Sequence, residues 1–145
     1  VPRVARCVSL LTPEELWAKA GQDHRSVANL LLHLEGTGRQ WMLCGLGGAD
    51  DRRDRDAEFA ATAETEGRAG AEMMERLAAT VAESVAVAEG LGPDDLLERK
   101  RYQGQFDETG VSALLHVMEH FSGHAGQIYA FTKQVKAMDL RFYDL

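Results

Sequence analysis

Apolar residues in this chain recur at helical spacing almost throughout, and strand-like alternation is almost absent. Residues patterned in this way can bury themselves only as helices packed on helices. Val4, Cys7, Val8 and Leu11 make one stripe. Thr12-Pro13-Glu14-Glu15 reads as a fresh start: Thr12 can cap, Pro13 suits the first turn and Glu15 completes a capping box. Leu16 and Trp17 are its apolar contacts, and Gly21-Gln22-Asp23 breaks it. Ser26 can cap a long helix in which Val27, Leu30, Leu31, Leu34, Trp41 and Met42 keep the period to about Leu43. Gly45-Leu46-Gly47-Gly48 ends that helix. Another runs from about Ala69 to Glu89 on Met73, Leu77, Val81, Val85 and Ala88, and Gly90 and Gly92-Pro93 stop it. Pro93-Asp94-Asp95-Leu96 suits a single turn, and Leu97 to Thr109 reads as a polar crossover with room for a short hairpin. Thr109 can cap the last helix, which runs to about Lys136, and the aromatic tail Leu140-Arg141-Phe142-Tyr143 is expected to pack back. The pattern predicts an all-α four-helix bundle with a long crossover connection, in one domain over 1–145. Because Val1 stands where a Met would open the chain, the first helix is expected to be truncated at its N-terminus.

Charge excludes some functions. A formal charge of -7 argues against non-specific binding to nucleic acid or to an anionic membrane, which both want a basic face. No apolar run approaches the ~20 residues of a membrane span, and no signal-peptide pattern opens the chain. Cys7 and Cys44 fit free thiols in a reducing cytoplasm better than a disulfide, and as packing they read as two small buried hydrophobes. The mixed-sign run Asp50 to Asp56 reads first as a solvated loop or helix start, and second as a salt-bridge knot or a subunit contact.

Chemistry concentrates in the last helix. His116, His120 and His124 stand four residues apart, so three of the five histidines share one helix face. On a helical wheel Val117, Phe121, Ile128 and Val135 mark the core direction; His124 lies closest to it, His120 next and His116 farthest. A buried imidazole needs a partner, so His120 and His124 form the better pair of metal ligands. His116 then becomes a neighbour of the site, and Gln127 returns to the face three residues after His124. His116 and Gln127 are the catalytic candidates. His24 reads as an exposed loop residue. His33, about ninety residues upstream on another helix, is the third ligand this reading selects. Three histidines with an open position fit a catalytic site better than a closed structural one. They suit zinc, nickel, copper or iron, and the spacing does not choose among them. A helical bundle holding no metal is the plainer alternative. The His-Glu-x-x-His protease motif, a Gly-rich phosphate loop and a serine nucleophile elbow are all absent.

The stretches Ser26 to Leu34, Arg39-Gln40-Trp41, Gly45 through Arg52–Asp56 to Glu58-Phe59, and His116 to Ile128 are similar to the DinB/YfiT-like metalloenzyme superfamily. The resemblance spans nearly the whole chain. It implies a four-helix bundle with a long crossover, and a divalent metal on His33, His120 and His124. It further implies thiol S-transferase chemistry with bacillithiol or mycothiol, or hydrolysis, on a small molecule, in a homodimer. The alternative is a non-catalytic metal-binding or stress-response bundle with a structural metal. Close relatives carry a small residue then Gly-Asn after the His-Leu pair, where this chain has Glu35-Gly36-Thr37. Substrate contacts there are expected to differ.

Overall fold

A computed structural model describes residues 1–142, so Tyr143 lies outside the described residues. The elements run α1 (Pro2–Leu10), α2 (Pro13–Trp17), α3 (Val27–Gly38), a π-helical segment (Arg39–Leu46), α4 (Arg55–Ala60), α5 (Ala63–Glu66), α6 (Gly70–Glu89), α7 (Pro93–Leu97), β1 (Arg99–Tyr102), β2 (Phe106–Thr109) and α8 (Gly110–Lys136). The chain is therefore mostly helical with one small two-stranded sheet.

Local chemistry explains the starts. Thr12 and Glu15 form the expected capping box, Ser26 forms one with Asn29, and Thr109 caps α8 through the Ser112 N–H. In the crossover, β1 pairs antiparallel with β2, Tyr102 opposite Phe106, and Gln103 and Gly104 turn at positive φ.

Helix α3 packs against both α6 and α8, and α1 packs against the same two. The main core includes Val4, Cys7, Leu31, Leu34, Met73 and Ile128. A second cluster gathers Trp41, Met42, Leu46, Tyr102 and Ala113 under the hairpin. The tail returns as expected: Leu140 is fully buried and the Phe142 ring lies 4.8 Å from Tyr129. Among the described residues no helix is long and apolar enough to cross a membrane.

Three expectations are corrected. The second long helix is not regular to Leu43. From Arg39 it widens into a π-helix, seen in the Gly47 N–H donating to the Met42 carbonyl at 2.8 Å. Gly45 lets the Tyr102 ring close on this wider turn, where a Cβ would stand 2.5 Å from the ring. The apolar stripes also overreach: Val85 is 49% exposed and Val135 39%. At 1.5 Å per residue α1 spans roughly 13 Å, against roughly 30 Å for α6 and 40 Å for α8. Its Ala5 and Val8 lie against the N-terminal end of α6, so Val85, near the far end of α6, lies beyond its cover. Finally, Cys44 is half-buried, with its thiol donating to the Asp50 carbonyl at 3.3 Å, whereas Cys7 is fully buried.

Candidate metal centre

His33 comes from the middle of α3, and His120 and His124 come from α8. Each offers a ring nitrogen, and these nitrogens all lie within 4.8 Å of one another. His33 Nε2 and His120 Nε2 stand 2.9 Å apart. The ring centroids of the trio are separated by 4.9, 5.1 and 4.5 Å. Two imidazole lone pairs at such a distance must share a proton or a cation between them.

The far side of two rings is tied outward. His33 Nδ1 lies 2.9 Å from Glu58 Oε2 and 3.0 Å from Arg53 Nη2; the carboxylate can only accept, and Nη2 has Glu58 and Thr37 to take its two protons, so Nδ1 donates to Glu58. His124 Nδ1 donates to Gln127 Oε1 at 2.9 Å. A proton fixed on Nδ1 leaves the Nε2 lone pair free, the arrangement that orients histidine ligands in metal sites. By its donor chemistry the trio thus fits a transition metal.

Glu58 is itself held. Arg53 Nε donates to its Oε1 at 2.7 Å and Nη2 to its Oε2 at 2.9 Å, a bidentate pair. The side chains are only 5% and 10% exposed. The other Arg53 Nη2 proton reaches Thr37 Oγ1 at 3.1 Å, and that hydroxyl lies 3.4 Å from His120 Nε2. Gly36 faces the pair, and a Cβ there would run into Glu58 Oε1 and stand 2.9 Å from Arg53 Nε. The backbone of α4 is secured by the fully buried Asn29, whose Nδ2 donates to the carbonyls of Glu58 and Ala61, each at 3.0 Å.

Electrostatics keep two of the rings, His33 and His120, neutral. Burial pushes the His120 imidazole down to about 3, reinforced by His124, His33, His116 and Arg53. Burial lowers His33 too, against the opposing hydrogen bond to Glu58. Burial raises the Glu58 carboxyl, but the bonds from Arg53 and His33 outweigh it and hold the group below the usual carboxylate range. Neutral imidazoles beside an ionised carboxylate are the protonation states a cation requires.

The structure brings together the three histidines that the sequence selected. His116 is exposed, as the wheel placed it, with its ring 4.1 Å from Trp41 and 5.8 Å from His120. Gln127 meets His124, and His24 is exposed in its loop. Sequence reasoning missed Arg53, Glu58 and Thr37. Arg53 was hidden in the mixed-sign run. Its neighbours Arg52, Asp54, Arg55 and Asp56 are exposed, as the solvated reading expects, while Arg53 alone turns inward and makes the salt-bridge knot. Thr37 lies in the Glu35-Gly36-Thr37 stretch where altered substrate contacts were expected, and its hydroxyl borders the site.

A mostly helical chain that gathers three histidines from two packed helices is of the DinB-like kind. The model of the Mycothiol-S-transferase family matches residues 2–134, and the chain belongs to that family. No curated protein matches it.

Proposed function

We propose that this protein is a metal-dependent thiol S-transferase. It joins a low-molecular-weight thiol, of the mycothiol or bacillithiol type, to a small-molecule electrophile. The metal is divalent, zinc or nickel foremost, on His33, His120 and His124. The observation that carries this reading is the convergence of three imidazoles, two of which have their far nitrogens tied outward, His33 to Glu58 and His124 to Gln127. Membership of a family described by mycothiol S-transfer supplies the reaction class. The architecture is read as a DinB-like four-helix bundle in one domain, supported by the packing of α3 and α1 against α6 and α8.

When bound, the metal lowers the pKa of a coordinating thiol and so supplies a nucleophile near neutral pH. The residues do the rest. Glu58, locked by Arg53, holds the His33 ring and its tautomer. Gln127 does the same for His124. Thr37 places a hydroxyl beside His120. His116, at the exposed end of the row, accepts the thiol proton. The sulfur lone pair then forms the C–S bond as the bond from carbon to its leaving group breaks, and that group departs with the bonding pair.

The test uses protein purified without a polyhistidine tag and reconstituted with zinc or nickel. Mycothiol and bacillithiol are offered with chlorodinitrobenzene. Turnover that needs metal and disappears in a folded His120→Ala variant is the expected result. No turnover with either thiol at full metal loading, or turnover indifferent to chelation, overturns the reading.

A further inference from the structure

The three imidazoles are open on two sides. His33 and His120 line the base of one cleft, of about 630 Å³, and His124 lines another, of about 430 Å³. A wall stands between them. The Phe59 ring lies 4.6 Å from His33 and is covered by two guanidinium groups, Arg25 at 4.7 Å and Arg55 at 5.1 Å. Arg55 faces the first cleft and Arg25 the second, and Phe59 itself lines the second.

The two clefts differ in chemistry. The first has an aromatic side, Trp41 and Phe106, and a rim of hydrogen-bonding groups in Gln103, Gln105, Ser112 and Glu119. Amides, a hydroxyl and a carboxylate around flat rings suit a ligand with many hydroxyl groups, which needs a donor or acceptor at each. The second has an apolar floor of Val27, Leu30 and Phe131, with Asp23, His24, Arg25, Gln127 and Gln134 as polar groups around it. That lining suits a compact apolar or aromatic body with one electron-withdrawing or anionic substituent.

We infer that the clefts are separate seats for the two substrates: the polyhydroxylated thiol on the His33–His120 side, and an apolar or aromatic electrophile on the His124 side, against Phe59 and Arg25. This rests on the transferase reading. A sulfur delivered from the first cleft then meets a carbon delivered from the second at the imidazoles where the clefts join. The wall at Phe59 keeps each substrate out of the other's seat, and Arg25 draws the withdrawing substituent of the electrophile toward its edge.

Two filling variants test it in the metal-loaded protein. Ala130 lines the second cleft on an exposed position of α8, and Ser112 lines the first and uses only its backbone N–H in the cap. Ala130→Trp is expected to raise KM for chlorodinitrobenzene about tenfold and to leave KM for mycothiol within about twofold; Ser112→Trp does the reverse. Equilibrium titration of mycothiol and of unreactive dinitroaniline runs alongside. Both variants weakening the same substrate, or neither weakening either, overturns the separate seats. If the wild type binds both probes and the variants separate them while no thiol is ever transferred, the seats stand and the transferase reading fails.

Discussion

Helices α3 and α8 both bring histidines to the same point, but they are built in opposite ways. Of its twelve residues α3 buries all but Gly36, polar ones included. The twenty-seven residues of α8 bury only Gly110, Ala113, Ile128 and Thr132. A histidine inside a fully buried helix must have its outer nitrogen satisfied by protein, and His33 has Glu58, itself clamped by Arg53. A histidine on a half-open helix needs less: the Nδ1 of His124 is met by the exposed Gln127. Burial in α3 fixes the site, and exposure along α8 keeps it reachable. Stability and access are thus divided between two helices that share one histidine cluster.

That division can be broken first at its apolar ends. Leu31 is 1% exposed on α3 and Leu115 59% on α8. Leu31→Ala is expected to cost about 3 kcal/mol in denaturant unfolding, and Leu115→Ala less than about 0.5 kcal/mol. Equal costs would erase the contrast. The histidines sharpen it next. His33→Ala and His124→Ala are both expected to weaken zinc binding in calorimetric titration. Only His33→Ala takes a hydrogen bond from a buried carboxylate and a side chain from a buried helix, so only it should destabilise the metal-free protein, by about 2 kcal/mol. Glu58→Gln follows: the ring loses its charged acceptor while the shape stays, and zinc affinity is expected to fall about 10- to 100-fold. If Glu58→Gln binds zinc as wild type does, Glu58 is only a structural partner of Arg53.

How much of this could be read from the chain depends on which force sets each feature. Helix starts and the hairpin were legible because capping and turn chemistry are local, as at Thr12, Ser26 and Thr109. His120 and His124 were legible because helical spacing fixes a face, and His33 because it flanks the apolar stripe of its own helix. Arg53 and Glu58 were not. Nothing in Asp50 to Asp56 distinguishes one arginine from its neighbours, and its inward turn depends on Gly36 leaving room and on Asn29 holding the α4 backbone. The π-helical turn was hidden for a related reason. Its apolar residues fit an ordinary helix equally well, and the Tyr102 ring it packs against arrives from more than fifty residues downstream.

Acid should separate native from unfolded chains through the same rings. His120 titrates at about 3 in the folded protein against 6.5 ordinarily, so the native state refuses a proton that the unfolded chain accepts. A depressed folded value makes stability complete above about pH 6.5 and progressively lost as pH falls toward 3. Thermal melts of the metal-free protein are expected to fall over that window, and to fall less in His120→Ala. An equal slope in both would place the proton elsewhere.

The smallest effect is expected on the outer face of α8. Met118 is 68% exposed beside Val85, on the stretch that α1 does not cover. A fully open side chain gains little from burial, so Met118→Lys should shift unfolding by less than about 0.5 kcal/mol. Met118 is also absent from both clefts at the histidines, so zinc affinity should not move. If the variant instead loses stability in a way that depends on protein concentration, α8 is covered in solution by another molecule. Its exposure would then be a property of the isolated chain, and the contrast with α3 would narrow to the histidine face alone.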